Sequence, residues 1–162
     1  MKEDKFKRLK EKQKEISDLK KQMIAESNSI FTELTKEFFD DNPELESFGW
    51  NQYTPYFNDG DTCEFSANTD YIYINGECVD DCDWINEKTV TNWGKWNNTT
   101  RVYEGRVEID NDKYNKSLSD ITTDIKDFLA HFEDDFFISQ FGDHSEITVT
   151  REGIDISDYE HD

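Results

Sequence analysis

The feature of this sequence that most constrains its fold is a long N-terminal stretch that contains neither glycine nor proline before Pro43. Within this stretch an apolar residue recurs at every seventh position: Leu9, Ile16, Met23 and Ile30. Residues spaced in this way form one stripe along a helix. The pattern predicts a helix over residues 2–40 that ends at Asn42-Pro43, because the residue before a proline disfavours helical dihedral angles.

The apolar stripe on this helical arm is narrow, and it must be buried against another surface. Three further apolar residues lie beside it: Phe6, Leu19 and Leu34. Four polar residues interrupt it: Lys12, Gln13, Lys20 and Glu26. The Ser27-Asn28-Ser29 segment is the expected point of any division into two helices. Such a stripe is buried either by docking on the rest of the chain or by pairing with another copy, and we expect a homo-oligomer formed through this helix, as a coiled coil.

The charge of the chain is distributed unevenly. Of its 162 residues, 18 are Lys or Arg and 38 are Asp or Glu, which gives a formal charge of −20. Residues 1–40 carry a net charge of +1 and residues 41–162 a net charge of −21. A mildly basic arm on a very acidic body is typical of an interaction protein. Because an anionic chain is a poor ligand for phosphate backbones, we expect no direct binding of nucleic acid.

Cysteine content and hydropathy favour a cytoplasmic protein. No apolar run approaches the roughly 18 residues of a membrane span, and the first ten residues lack the apolar segment of a signal peptide. The odd number of cysteines fits reduced thiols. A zinc site is the alternative, built from Cys63, Cys78, Cys82 and one of His131, His144 and His161. The usual knuckle spacing is absent, so we expect no metal and no cofactor.

Alternating apolar and polar residues predict β-strands within residues 45–75 and 101–109. Turns are predicted at Asn58-Asp59-Gly60-Asp61 and at Asn75-Gly76, where glycine permits positive φ angles. Residues 76–100 are expected to be irregular. A closing hairpin is predicted around Glu152-Gly153.

A second helix is predicted in the C-terminal half. Its 3.6-residue stripe ends near Gly142 and consists of Ile121, Ile125, Phe128, Leu129, Phe132 and Phe136. Ser117-x-x-Asp120 resembles a capping box at its start. The order of elements predicts an α+β fold: a long N-terminal helix, an antiparallel sheet packed with this amphipathic helix, and the closing hairpin. We expect a helical arm over 1–42 and an acidic domain over 43–162.

The segment richest in recognition chemistry runs from Trp50 to Phe65, where four rings precede an acidic turn. Aromatic residues and directional hydrogen-bonding groups are typical of contact surfaces. The alternative is that these rings fill the core and that the acidic residues only form a turn. We expect a partner-binding surface made of Trp50, Gln52, Tyr53, Tyr56, Asn58, Asp59, Asp61, Asp80, Asp81, Asp83 and Trp84, and no catalytic residues.

The same segment carries a resemblance to a known group of proteins. The string W-N-Q-Y-T-P-Y-F-N-D-G-D at residues 50–61 resembles a motif of small acidic accessory proteins of tailed bacteriophages. The strings E-I-T-V-T-R-E-G-I and Y-E-H-D near the C-terminus are also similar to that group. The resemblance implies production in an infected bacterial cytoplasm and a role in host takeover or counter-defence. It implies no enzymatic activity.

These observations lead to one functional hypothesis and three alternatives. We expect the acidic body to bind a host protein with a basic surface and so inhibit it, and imitation of nucleic acid is the mode of binding that its charge indicates. A small-ligand binder would have to hold nucleotide phosphates with the few available cations, which are Lys95, Arg101, Arg106 and Arg151. A metal-dependent enzyme would rely on Asp59, Asp61 and Glu64. A structural role in a virion, through the N-terminal helix, is the last.

Overall fold

The computed structural model describes residues 2–79 and 86–161. The first element is a single helix, α1 (Lys2–Asp41), as the apolar stripe predicts. The Ser27-Asn28-Ser29 segment does not divide it. The Asn28 carbonyl accepts a hydrogen bond of 2.9 Å from the Thr32 hydroxyl, and Ser27 is half-buried. Polar side chains that bond back to the preceding turn are compatible with a continuous helix.

The predicted end of α1 is confirmed, and residues from elsewhere in the chain stabilise it. The Asn42 side-chain amide donates to the Phe38 carbonyl at 2.8 Å. The Arg151 guanidinium donates to the carbonyls of Phe39, Asn42 and Leu45 and lies over the Phe39 ring. The last carbonyls of a helix lack partners within it and carry partial negative charge. Arg151 therefore joins the closing hairpin to the end of α1.

In the described residues, ten strands and two further helices follow α1. The strands are β1 (Ser47–Tyr53), β2 (Ser66–Ala67), β3 (Tyr73–Ile74), β4 (Glu77–Cys78), β5 (Thr89–Asn92), β6 (Lys95–Asn97), β7 (Val102–Glu104), β8 (Val107–Asp110), β9 (Ser145–Thr150) and β10 (Ile154–Asp158). The helices are α2 (Lys116–Leu129) and α3 (Asp134–Phe141), both between β8 and β9.

A six-stranded antiparallel sheet forms the centre of the body, in the order β10-β9-β1-β3-β4 with β2 also on β1. Phe48 and Trp50 point to one face of β1, as their alternation predicts, and both are fully buried. They lie opposite Val149 and Ile147 of β9. Between residues 60 and 75 the predicted β structure is limited to two short strands, β2 and β3.

The predicted turns are confirmed. Asp59 and Gly60 both have positive φ angles, and the Asp61 N–H donates to the Asn58 carbonyl at 2.7 Å. Asn75 and Gly76 likewise adopt φ angles of 51° and 82° between β3 and β4. Two successive positive φ angles suit a tight hairpin turn. The closing hairpin, β9 with β10, turns at residues 151–153.

The expectation of irregular structure over residues 76–100 is wrong for about half of its described part, which forms β4, β5 and β6. β5 pairs with β8, and β6 pairs with β7, so residues 89–110 form one long hairpin that is interrupted midway. The interruption lies at Gly94, whose φ angle is 69°, and a Cβ there would lie 2.1 Å from the Glu104 carbonyl oxygen. Only glycine allows the two strands of the hairpin to approach this closely. This element is called the aromatic hairpin below.

The single amphipathic helix predicted up to Gly142 is instead two helices, α2 and α3. Helix α2 ends at Leu129 and helix α3 begins at Asp134. The buried rings of both helices belong to the same core. The start of α2 also differs from the prediction. Its N-cap is Asn115, whose side-chain oxygen accepts from the Leu118 N–H at 3.1 Å. The helix therefore begins before Ser117, and the Asn115 side chain satisfies one of its free N–H groups.

The core lies between the sheet and the three helices, and it is strongly aromatic. Phe31 of α1 is fully buried and contacts the rings of Trp50, Phe128, Phe132, Phe136 and Phe141. The last turns of α1 therefore belong to the core of the body. The α+β arrangement predicted from the sequence is confirmed. No helix in the described part of the chain is both long and apolar enough to span a membrane.

Candidate interaction surface

Two residues of the predicted partner-binding set belong to the core instead. Trp50 and Gln52 are both 0% exposed, so neither can contact a partner. They occupy alternate positions of β1, and both side chains therefore point from the sheet toward α3. The physical reason is that the central strand of the sheet has its helix-facing side covered. The alternative in which these residues fill the core is correct for this pair.

Gln52 makes a complete set of hydrogen bonds inside the core. Its side-chain oxygen accepts from the Trp50 indole N–H at 3.0 Å. Its amide donates to the carbonyls of Phe137 at 3.0 Å and Gly142 at 2.5 Å. Carbonyls at the end of a helix need such partners when they are buried. The amide thus ties β1 to the end of α3.

The structure brings Tyr53 and Tyr56 into a cluster of rings at the edge of the sheet. The cluster is called the ring stack and consists of Tyr53, Tyr56, His144, Tyr159 and His161. The His161 ring lies on Tyr53 with 3.9 Å between centroids, and on Tyr56 with 4.5 Å. The Nδ1 atom of His144 lies 2.8 Å from Nε2 of His161, and one of the two nitrogens donates to the other. The ring stack fixes the C-terminal segment against the loop after β1.

Asp143 holds the same loop by its carboxylate. Its oxygens accept from the Thr54 N–H and hydroxyl, both at 2.7 Å, and from the His144 N–H at 2.8 Å. Burial by itself disfavours the charged carboxylate, but these hydrogen bonds and the nearby His144 outweigh burial and lower its pKa. The carboxylate therefore stays ionised and keeps the loop attached to the start of β9.

Of the remaining predicted residues, the structure describes those at 56–61 but not those at 80–84. Tyr56 is 67% exposed, and the turn residues Asn58, Asp59 and Asp61 are exposed beside it. Together with the exposed Phe57 they form a short acidic and aromatic loop. Asp80, Asp81, Asp83 and Trp84 lie outside the described residues.

The aromatic hairpin offers a second contact surface, which lies outside the predicted partner-binding set. On one of its faces Trp96 and Tyr103 lie directly opposite each other, with 4.9 Å between ring centroids. Trp93 contacts Tyr103 at 5.6 Å, and the Arg106 guanidinium stacks over Trp93 at 4.7 Å. The three rings remain 49–52% exposed. Trp, Tyr and Arg are the residues that dominate the energetics of protein interfaces.

The hairpin carries three further apolar residues outside this group of rings. Val102, Val107 and Ile109 are each about half exposed, with 51%, 51% and 45% of their surface accessible. Side chains alternate along a strand, so Val102 points to the face opposite that of its neighbour Tyr103. Isolated antiparallel hairpins are marginally stable in water, and exposed rings on such a hairpin are typical of a binding site. The sequence analysis placed Tyr103 in a predicted strand and named Arg106 only as a cation for a phosphate ligand, and it assigned neither residue to a contact surface.

Two of the four cations considered for a phosphate ligand, Arg106 and Arg151, are already engaged within the fold. Arg151 donates to three carbonyls at the end of α1, and Arg106 stacks on Trp93. Within the described residues, no group of three or more His, Cys, Asp or Glu side chains is arranged to hold a metal ion. Cys63 and Cys78 are free thiols, whereas Cys82 lies in the segment that is not described. Comparison of this chain with protein-family models, with curated proteins and with solved structures finds no match.

Proposed function

We propose that this chain is a non-enzymatic bacteriophage accessory protein that binds and inhibits a host defence or toxin protein in the infected bacterial cytoplasm. The observation that carries the proposal is the exposed cluster of Trp93, Trp96, Tyr103 and Arg106 on the aromatic hairpin. These side chains are held together before any partner arrives, so little conformational entropy is lost when they bind. The bacteriophage context rests on the resemblance of residues 50–61.

The charge of the body supports a partner with a basic surface. The chain carries 38 acidic residues, and the described part contains ion pairs for only a few of them. Unpaired carboxylates produce a negative field that accelerates encounter with a basic protein. By contrast, the aromatic hairpin itself has balanced charge, with three basic and three acidic residues over 89–110. The body thus steers the partner, and the hairpin provides the short-range contacts.

A pull-down from bacterial lysate tests this proposal. The immobilised full chain is compared with a Trp96→Ala/Tyr103→Ala variant and with Tyr71→Ala, which removes a ring that is 62% exposed outside the hairpin. We expect a specific protein to be captured by the wild type and by Tyr71→Ala, and its affinity to fall about 100-fold in the hairpin variant, as for loss of interface hot spots.

The captured protein is then assayed for its own activity with and without the chain. Inhibition that the hairpin variant fails to produce supports the proposal. Equal capture by the hairpin variant shows that the contact surface lies elsewhere. Capture without any loss of the partner's activity contradicts the inhibitory role, and a cofactor or nucleotide found on the purified chain favours the small-ligand alternative.

A further inference from the structure

The first half of α1 is a helix without any buried residue. Every side chain from Glu3 to Met23 is exposed, and Ile24 is the first residue of the helix that is partly buried. A helix of 21 residues is about 30 Å long. In proteins the stability of such a helix comes mainly from packing of its apolar face. The exposed half of α1 therefore has an apolar face that the described chain does not cover.

This face runs along most of the helix. Its members are Phe6, Leu9, Ile16, Leu19, Met23, Ile30 and Leu34, which are 37–64% exposed. The residues that dock on the body, such as Phe31 and Phe39, lie on a different side. Covering this face in two chains at once would bury roughly 1,100 Å² of apolar surface, which is near the lower limit for a specific interface. The lysine stems alongside would add to it.

The charge on α1 indicates what covers this face. Residues 2–22 contain nine basic and five acidic residues, a net charge of +4. Residues 23–41 contain one basic and five acidic residues, a net charge of −4. Two parallel copies would place like charges side by side along the whole helix. Two antiparallel copies place each basic half against an acidic half.

One line of residues beside the apolar face repeats this symmetry in detail. It contains, at seven-residue intervals, Lys5, Lys12, Leu19, Glu26 and Glu33. If two copies cross antiparallel at Leu19, each Lys5 lies level with the partner's Glu33 and each Lys12 with the partner's Glu26. The same alignment brings Leu9 level with the partner's Ile30 to within one residue. Flanking ion pairs of this kind set the orientation of paired helices.

The body favours the same orientation. Residues 42–162 carry a net charge of −20, and only antiparallel helices place the two bodies at opposite ends. Beside the exposed face, Met23 and Ser27 border a groove of about 450 Å³ whose other wall includes Phe132, Glu133 and Asp135. In the antiparallel arrangement the basic half of the second copy runs past these two acidic residues.

We propose that this chain forms an antiparallel homodimer in which α1 of each copy covers the exposed apolar face of the other. The proposal is independent of the host partner, since it uses α1 and not the aromatic hairpin. Lys12 has a 2.9 Å ion pair with Glu15 of its own helix, but both side chains are exposed and such a pair contributes little. It does not prevent Lys12 from pairing with Glu26 of the second copy.

Charge reversal in the full-length chain tests both the dimer and its orientation. The dimer dissociation constant is measured by sedimentation equilibrium for the wild type, for Lys5→Glu/Lys12→Glu, and for that variant combined with Glu26→Lys/Glu33→Lys. We expect the first variant to dimerise at least about tenfold more weakly and the fourfold variant to recover most of this loss, because four ion pairs are reversed and then restored.

A matched control makes the same charge change on the opposite side of the helix. Lys7→Glu/Lys14→Glu is expected to alter the dissociation constant less than about threefold, and circular dichroism verifies that each variant keeps its helix content. A chain that stays monomeric at about 100 μM overturns the proposal. Tighter dimerisation of Lys5→Glu/Lys12→Glu also overturns it, since relief of like-charge repulsion is the result expected of parallel helices.

Discussion

At the scale of single residues, two side chains hold the edge of the body together by opposite means. Gln52 is a neutral amide that is fully buried and has all its partners within the core. Asp143 is a charged group near the surface, and it bonds two segments that are far apart in the sequence, at Thr54 and at His144. Both residues bind the same region, where β1 ends and β9 begins.

Replacement of Gln52 by leucine is expected to destabilise the fold by about 2–4 kcal/mol, because the Trp50 indole and two backbone carbonyls would remain buried without partners. Urea denaturation of the full chain measures this loss. Gln140→Leu, which makes the same change at a half-buried position of α3, serves as the control and is expected to change stability by less than about 1 kcal/mol. Equal effects of the two substitutions would contradict the role given to Gln52.

The lowered pKa of Asp143 gives a pH prediction with a definite sign. A carboxyl group that ionises more readily in the folded state contributes stability above its usual pKa of 3.8, and this contribution is lost as the pH falls through the lowered value. Asp143→Asn is therefore expected to cost about 1 kcal/mol at pH 7 and progressively less below pH 4. Thermal melts of both proteins between pH 2 and pH 7 measure the difference.

The exposed Asp112 provides the comparison for this experiment. An Asp112→Asn variant should differ little from the wild type across the same range. A constant difference between wild type and Asp143→Asn at every pH would show that the lost interaction does not depend on ionisation.

At the scale of elements, the aromatic hairpin depends on one close approach between its two strands, at Gly94 and Glu104. Gly94→Ala places a methyl group 2.1 Å from the Glu104 carbonyl, whereas Gly105→Ala has the same unfavourable positive φ angle but open space around the new Cβ. Amide hydrogen exchange is expected to lose protection over residues 89–110 more completely in Gly94→Ala than in Gly105→Ala, with β1 and β9 unchanged in both. Loss of protection in β1 would instead show that the hairpin supports the core.

The elements also show which parts of the fold a single sequence can predict. The helix α1 and the turn at Asn75-Gly76 depend on local chemistry, so the sequence predicts them well. The division between α2 and α3 is not predicted, because Phe128, Phe132 and Phe136 keep a four-residue spacing across it. Trp50 and Trp96 both lie in strands, yet the first ring is buried by helices and the second is 49% exposed. That difference depends on long-range packing, which local pattern does not contain.

The candidate site, like the fold, was predicted only in part from the sequence. The loop at residues 56–61 is exposed, as its turn chemistry indicates. The ring stack was missed, because His144 and His161 lie 17 positions apart and only the pairing of β9 with β10 brings them together. Nothing in the local sequence of either histidine indicates the other.

At the scale of the whole molecule, the dominant property is a net charge of −20 with few ion pairs in the described part to offset it. Like charges on a compact body repel one another more strongly than on the expanded, unfolded chain. The same field that would attract a basic partner therefore lowers the stability of the body. Dissolved salt screens this repulsion over distances of about 10 Å at 0.1 M.

Stability should consequently rise with salt. We expect the melting temperature to increase by about 3–6 °C between 20 mM and 500 mM NaCl, because screening lowers the free energy of the folded, more compact state. Three exposed acidic residues can be neutralised together in the variant Asp59→Asn/Asp61→Asn/Asp155→Asn. This variant should melt higher than the wild type at low salt and gain less from added NaCl. A melting temperature that stays constant or falls with salt would mean that the carboxylates are compensated within the fold, and the negative field needed to steer a basic partner would then be absent.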